Sequence, residues 1–129
     1  MVQVFTNGCF DILHKGHVEL LAYCKSLGHV TVGLNSDESV KRLKGLSRPI
    51  NTESDRKRIL EALRYVDEVV IFHEDTPYDL ISTLKPDVIV KGGEYRAQDV
   101  IGSDICNVRI FDMVTGYSTT SFINRIISK

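Results

Sequence analysis

Two histidines near the start of the chain, His14 and His17, are the residues whose types and spacing most clearly suggest chemistry. They lie in the stretch GCFDILHKGH, residues 8–17, which follows a short apolar run. Gly8 lets the backbone approach a ligand closely, and the amides of a helix that starts near Gly16 would point toward the same place. Together these features predict a phosphate clamp, in which both imidazoles and the helix amides hold one anionic group.

On the residues alone, two other interpretations of this stretch stay open. Cys9 and Asp11, together with the two histidines, are four potential metal ligands within nine residues, but their spacing matches neither of the common CxxC and HxxxH patterns. No second cluster of Cys or His completes such a site, so we expect no metal held by protein side chains. The histidines can also be ordinary solvated residues at the start of a helix, where Lys15 is expected to face solvent.

A second candidate anion site lies near the end of the chain. The stretch GYSTT, residues 116–120, places a glycine before three hydroxyl residues, Ser118, Thr119 and Thr120. One hydroxyl can cap the following helix while another, with free amides, faces a phosphate. Capping is the commoner use of such a triplet, so its neighbours decide whether it binds phosphate.

The segment 40–57 is basic within a chain whose formal net charge is -1. Its cations are Lys41, Arg42, Lys44, Arg48, Arg56 and Lys57. We assign Arg42 and Lys57 to a solvated face and expect the others to reach bound anions. Two helix starts directed at anions, with a mobile basic segment beside them, fit a substrate that carries several phosphates.

Short apolar runs alternate along the chain with amphipathic stretches. The runs predict strands, and the amphipathic stretches predict helices. Strands are predicted at 2–8, 29–35, 67–72, 87–90 and 107–111, and helices at 16–28, 36–44, 52–64, 76–85 and 118–128. Ser36, Thr52 and Thr76 are predicted N-caps, with Pro77 as the first residue of its helix.

This alternation predicts an α/β fold: one domain over residues 1–129, with a doubly wound parallel sheet of about five strands and helices on both faces. Crossovers between its strands are expected to be right-handed. Ligands of such sheets bind at the carboxyl ends of the strands. The glycine-rich and hydroxyl-rich segments follow predicted strands, so the candidate residues should meet there.

Composition argues against several classes of protein. The chain has 129 residues, with 16 Lys and Arg against 17 Asp and Glu and no Trp, which gives no support for a nucleic-acid or membrane partner. Its three cysteines form no CxxC pair, and no apolar run approaches the roughly 20 residues that span a bilayer. A cytoplasmic location is therefore expected.

Residue combinations that the sequence lacks argue against two classes of reaction, covalent catalysis by serine or cysteine and sugar hydrolysis. No serine or cysteine has a suitably placed base in the same loop, and no acidic pair is placed for sugar hydrolysis. Attack of a phosphate monoester on the α-phosphorus of a nucleoside triphosphate needs no general base, because the monoester loses its second proton at about pH 6. It needs positioning and charge neutralisation, which histidines, lysines, helix amides and a Mg²⁺ ion can supply.

At this point the sequence resembles the HxGH-type nucleotidyltransferases, over essentially all of its length. GCFDILHKGH is similar to their GxFDxxHxGH signature, and GYSTT is similar to their xSTT motif. The resemblance implies a Rossmann-like nucleotidyltransferase fold in which His14 and His17 contact the triphosphate and stabilise the transition state. Lys44 is implied to reach the phosphates or the second substrate. Further nucleotide or phosphate contacts are expected from Gly8, Cys9, Phe10, Lys41, Lys91, Gly92, Gly93, Ser118, Thr119 and Thr120.

Within that group, three segments resemble the adenylyltransferase part of the heptose 1-phosphate kinase/adenylyltransferase proteins. They are NSDESVKRLKGLSRPIN, EDTP at 74–77 and VKGGEY at 90–95, where Glu94 replaces the usual Asp. Glycerol-3-phosphate cytidylyltransferases share the general plan but usually carry RTEGISTT, whose arginine would fall at Met113 here. ATP and a sugar 1-phosphate are therefore favoured as substrates over CTP and a polyol phosphate, and a nucleotide-binding module without turnover is a third hypothesis.

The resemblance also sets expectations for the remaining contacts and partners. A Mg²⁺ ion is expected to bind mainly through the triphosphate, and a homodimer is expected. No kinase-like domain precedes the chain, so it is expected to act as a stand-alone transferase. Contacts with the phosphorylated acceptor are expected from Asp11, Asp37, Arg48, Arg56 and Glu94.

Overall fold

The computed structural model describes residues 1–112 and 118–128, and its centre is one parallel sheet. The five strands have the spatial order β3-β2-β1-β4-β5, so the order reverses between β1 and β4. The predicted doubly wound α/β fold is confirmed. The strands are β1 (Gln3–Gly8), β2 (His29–Asn35), β3 (Glu68–Phe72), β4 (Val88–Gly92) and β5 (Asn107–Phe111).

Helices connect these strands, and most of the predicted caps are present. Ser36 Oγ accepts from the Ser39 amide at 3.2 Å, and Thr52 Oγ1 accepts from the Asp55 amide at 3.2 Å. The helices are α1 (Lys15–Leu27), α2 (Asp37–Lys44), α3 (Glu53–Glu61), α4 (Tyr78–Leu84) and α5 (Thr119–Ile127), with a short 3-10 turn at Ala97–Asp99.

The predicted start of α4 was wrong by one residue. Pro77 occupies the N-cap position with ψ 14°, which lies outside the helical range, and no side chain caps this helix. Thr76 Oγ1 instead accepts a long hydrogen bond, 3.4 Å, from the Tyr78 amide.

Both faces of the sheet are buried, as a parallel sheet requires. Val4 and Phe5 follow each other along β1 and pack on opposite faces. Val4 belongs to the larger cluster with Leu21 of α1, and Phe5 packs with Ile81 of α4 on the other face. In residues 1–112 and 118–128, no helix is long and apolar enough to cross a membrane.

Candidate active site

A cleft of about 620 Å³ opens at the carboxyl edge of the sheet, where β1 adjoins β4. Residues from the loop after β1, the C-terminal end of α2, the loops after β3 and β4, and the start of α5 line it. This is the edge at which the switch in strand order predicts a ligand site. Segments far apart in the sequence therefore share one cavity.

The two histidines cap α1 reciprocally. His14 is the N-cap residue, and its Nδ1 atom accepts from the Gly16 amide at 3.1 Å. The Nδ1 atom of His17 accepts from the His14 amide at 3.3 Å. The two rings stack with their centroids 3.8 Å apart. Imidazoles thus take the places that Ser or Thr and Glu hold in an ordinary capping box.

This capping arrangement fixes the chemistry of both rings. A neutral imidazole whose Nδ1 atom accepts a hydrogen bond carries its proton on Nε2. Burial lowers the pKa of His17 to about 4, and the neighbouring His14 adds to the shift. Burial also lowers the pKa of His14. At neutral pH the two side chains are therefore uncharged donors in the cleft wall.

The start of α5 lies against the same loop. Ser118 Oγ caps the helix by accepting from the Ser121 amide at 2.9 Å, and Thr119 Oγ1 donates to the Ile12 carbonyl at 3.2 Å. The ring of Phe122 stacks on the ring of His14, with a centroid distance of 5.5 Å. The two predicted anion-directed helix starts therefore meet, although the Thr119 hydroxyl already donates to the protein.

All three hydroxyl residues of this triplet, Ser118, Thr119 and Thr120, line the cleft. Gly116 of the same motif and Met113 lie outside the described residues.

Three cations reach the cleft from different elements: Lys44 ends α2, Arg48 follows it, and Lys91 lies near the end of β4. Burial lowers the pKa of Lys91, a shift that Cys9 opposes and Lys44 reinforces. The Lys91 ammonium lies 5.1 Å from the centroid of the Tyr95 ring. A cation that is partly removed from water interacts more strongly with a bound anion.

Gly8 and Phe10 shape the floor of the cleft. Phe10 is buried and has φ 46°, a left-handed conformation that is uncommon for a bulky residue. A Cβ atom at Gly8 would lie 3.1 Å from the Phe10 ring, and that ring lies 5.1 Å from the ring of His17. A side chain at position 8 would therefore press on the Phe10 ring beside the histidines, whatever Gly8 contributes to a ligand.

Cys9 also lines the cleft. Burial raises the pKa of its thiol despite the neighbouring Lys44, so the thiol is protonated at neutral pH.

Asp11 does not line the cleft, contrary to its expected role in contacting the acceptor. Its buried carboxylate accepts from the amides of Ile50 at 2.8 Å and Asn51 at 2.9 Å. Its Oδ2 atom also accepts from Arg48 Nε at 3.1 Å. Burial disfavours the charged form, but these hydrogen bonds outweigh it and lower the pKa of Asp11. Asp11 thus holds the segment that brings Arg48 to the cleft.

The position of Arg56 also differs from the expectation of a mobile basic segment that contacts substrate. Its side chain is 1% exposed, and its guanidinium donates to the carbonyls of Cys9, Asn35 and Asn51 at 2.8, 2.8 and 3.0 Å. It also pairs with Asp37 Oδ1 at 2.8 Å. Arg56 therefore ties together the loop after β1, the end of β2 and the start of α2, and Asp37 is used in the same network.

One sequence signal could have revealed this role. Arg56 precedes the core residue Leu60 by four positions on α3, which places both on the same face of the helix. A cation on the apolar face of an amphipathic helix is a candidate for a buried, internally paired side chain.

Four further residues that were predicted to contact substrates do not line the cleft. They are Lys41, Gly92, Gly93 and Glu94. Sequence reasoning did not select several residues that do line it: Asn7, Asn35, Leu43, Asp75, Thr76, Pro77, Tyr95, Asp99, Val100 and Ile101. The rule about carboxyl ends could have found the six that lie at the end of a strand or within five positions after it: Asn7, Asn35, Asp75, Thr76, Pro77 and Tyr95.

Fold and cleft define a doubly wound α/β protein whose switch point carries a cleft lined by histidines and cations. The chain belongs to the cytidylyltransferase-like family, whose model matches residues 5–125. The resemblance to nucleotidyltransferases is thereby confirmed.

Individual relatives agree with this assignment. The chain is 60% identical over 125 residues to the bifunctional protein HldE of Campylobacter concisus, which covers 95% of this chain and 26% of that protein. It is 59% identical to HldE of a Nitratiruptor species over 97% of this chain and 28% of that protein. The chain therefore spans about a quarter of the length of these curated relatives.

A solved structure has the same fold. The crystal structure of the lipopolysaccharide core biosynthesis protein from Thermoplasma volcanium superposes with a TM-score of 0.74 at 30% identity. The match covers 92% of this chain and 99% of that one.

Proposed function

We propose that this cleft transfers the adenylyl group of ATP to a sugar 1-phosphate, specifically a heptose 1-phosphate, and releases pyrophosphate. The observation that carries the proposal is the reciprocal cap of His14 and His17 on α1, with the start of α5 packed against it in the same cleft. The segments EDTP and KGGEY support the heptose substrate. The relatives are named bifunctional, and a chain that spans about a quarter of them fits one of two activities.

The reaction needs no general base from the protein. An oxygen of the acceptor phosphate, already deprotonated at neutral pH, attacks the α-phosphorus and forms the new phosphorus–oxygen bond. The bond from the α-phosphorus to the bridging oxygen breaks, and its electron pair leaves with pyrophosphate. Negative charge develops on the α-phosphate oxygens and on the leaving group, so donors aimed at those atoms accelerate the step.

The protein supplies these donors in two forms. His14 and His17 offer Nε2–H groups that are fixed in direction by their caps, and the amides at the start of α1 add a partial positive charge. Lys44, Arg48 and Lys91 supply full charges around them. Neutral donors stabilise developing charge without holding the pyrophosphate product as firmly as a further cation would.

A Mg²⁺ ion belongs to the proposal as a partner of the triphosphate. Within the described residues, no group of three or more His, Cys, Asp or Glu side chains could hold a metal ion. The cationic wall around Lys44 and Lys91 therefore fits an ion carried by phosphate oxygens better than an ion held by the protein. When bound in this way, Mg²⁺ neutralises charge on the departing pyrophosphate.

Pyrophosphate release tests the proposal. The four common nucleoside triphosphates are each combined with sugar 1-phosphates and polyol phosphates, and ATP with a heptose 1-phosphate is expected to give the highest kcat/KM. His17→Ala should lower kcat by about a hundredfold or more, with a much smaller change in nucleotide affinity. His73→Ala, an exposed histidine outside the cleft lining, is the matched control. Equal losses of kcat and affinity would mean that His17 only binds.

A second candidate is a cytidylyltransferase that acts on glycerol 3-phosphate or a similar polyol phosphate, which the description of the family favours. A clear preference for CTP in the same screen would establish it. Nucleotide binding without pyrophosphate release from any pair would instead indicate a non-catalytic module.

A homodimeric state and a cytoplasmic location form part of the same proposal. Light scattering after gel filtration and fractionation of cells test them.

A further inference from the structure

Opposite charges line the cleft. Lys44, Arg48 and Lys91 lie in its lining with the histidine pair, and Asp75 and Asp99 bring carboxylates to the same cavity. A phosphate is repelled by a carboxylate and attracted by the cations, so bound phosphates belong near the cations. A carboxylate is instead a good acceptor for hydroxyl groups, which are neutral donors. The wall that contains Asp75 is therefore suited to an uncharged, hydroxyl-bearing part of a substrate.

Helix α2 fixes the position of this wall relative to Lys44. Arg42 Nε donates to Asp75 Oδ1 at 2.8 Å, and the same guanidinium donates to the His73 carbonyl. Ser39 Oγ donates to the Glu74 carbonyl at 3.1 Å. One helix thus holds the loop after β3 through two side chains and ends at Lys44. Arg42, predicted as part of a solvated face, is a structural link between the two.

Asp75 keeps an acceptor for a ligand while it is held. The contacts recorded for its carboxylate among the described residues use Oδ1 alone, and the side chain is 65% exposed. Thr76 and Leu43 also line the cleft, and Leu43, which is 52% exposed, offers an apolar surface there. A sugar ring has hydroxyl groups at its rim and C–H groups on its faces, so it matches this combination.

Strand order places residues of the cleft on two sides of the histidine pair. Lys91 lies near the end of β4, on the β4–β5 side. Leu43 and Asp75 follow β2 and β3 on the opposite side. An acceptor on this second side can direct its phosphate toward Lys44 and its hydroxyl groups toward Asp75.

We propose that Asp75 is a specificity-determining residue that accepts hydrogen bonds from hydroxyl groups of the acceptor. This inference rests on the proposed function, because it assumes that the acceptor is a phosphorylated polyhydroxyl compound. It extends that function by naming the wall that distinguishes such an acceptor from a bare phosphate monoester.

The test compares two acceptors in wild-type protein and in Asp75→Ala: a heptose 1-phosphate and methyl phosphate, which has no hydroxyl groups. Loss of a hydrogen bond to a charged group should lower kcat/KM for the sugar phosphate by about 10- to 100-fold. The kcat/KM for methyl phosphate and the KM for ATP should change less than about twofold, since neither involves the hydroxyl wall. Asp79→Ala, an exposed carboxylate on α4 outside the cleft lining, is the matched control.

Arg42→Met separates recognition from a structural effect. Arg42→Met removes the partner that holds Asp75 but leaves the Asp75 carboxylate in place. If loosening of the loop were the only effect, Arg42→Met and Asp75→Ala would each lower kcat/KM with both the heptose 1-phosphate and methyl phosphate. Equal losses with the two acceptors in Asp75→Ala, or no loss with either, would overturn the inference while the proposed function stands. Wild-type protein that releases no pyrophosphate with any acceptor would overturn the proposed function and this inference together.

Discussion

Replacing Arg56 by methionine is expected to lower the free energy of unfolding by about 3–4 kcal/mol, because its buried guanidinium serves four acceptors. The carbonyls of Cys9 and Asn35 each lose a bond of 2.8 Å from a charged donor, and a buried polar group left without its partner costs about 1–3 kcal/mol. Asp37 loses its ion pair as well. Since its side chain is 30% exposed, water can replace part of that interaction, and the total stays near the lower end of the roughly 3–5 kcal/mol expected for breaking a buried pair.

Urea unfolding and thermal unfolding both measure this loss. At this chain length, we expect a decrease in Tm of about 10–15 °C. Arg58→Met is the matched control, because Arg58 lies on the same helix and is exposed. An exposed substitution of this kind should change stability by less than about 0.5 kcal/mol.

The opposite pattern of results would refute the structural role of Arg56. If Arg56→Met were as stable as Arg58→Met but lost activity, the guanidinium would act on substrate, as the basic segment of the sequence first suggested. A stability loss shared equally by both variants would show that the helix surface, and not the buried network, is responsible.

Three further predictions concern the histidine pair and its supports. The pKa of His17 is lowered to about 4 in the folded protein, so between about pH 6.5 and pH 4 only the unfolded chain protonates this imidazole. The free energy of unfolding should therefore fall by about 2 kcal/mol between pH 7.5 and pH 5. In urea titrations, His17→Ala should flatten that dependence on pH. Ser118→Ala removes the cap of α5 and should lower the free energy of unfolding by about 1 kcal/mol, whereas an unchanged value would mean that the cap is replaced by water. Asp11→Ala leaves the amides of Ile50 and Asn51 without their acceptor, so the free energy of unfolding should fall by about 2–4 kcal/mol. Because Arg48 is released as well, the KM for the phosphorylated substrates should rise in steady-state assays. Unchanged values of both quantities would contradict the anchoring role of Asp11.

The fold was predictable because its determinants are local. Apolar runs and the side-chain caps at Ser36 and Thr52 can be recognised within a few residues, and both caps are present, whereas the predicted cap at Thr76 is absent. The cap of α1 was not predicted, because its imidazole pair does not match the usual capping-box residues. His14 and His17 were selected for their chemistry, and the structure adds that the same atoms hold the helix.

The cleft was only partly predictable because half of it depends on contacts between distant segments. Asp75 reaches its position through Arg42, 33 residues earlier, and no periodicity signals such a pair. Arg56 was assigned to the substrate because a run of cations was treated as one surface. Its carbonyl partners lie in two different loops and at the end of β2, and only the tertiary structure shows that they converge on one guanidinium.

The measurement that tests the central claim most directly follows the phosphorus atoms of ATP. The account places the attack at the α-phosphorus, so a radiolabel at that atom should appear in the sugar nucleotide, and a label at the γ-phosphorus should appear entirely in pyrophosphate. Both transfers should fall together, by about a hundredfold or more, in His17→Ala. Transfer of the γ-label to the sugar phosphate, or its release as inorganic phosphate in place of pyrophosphate, would contradict the proposed reaction.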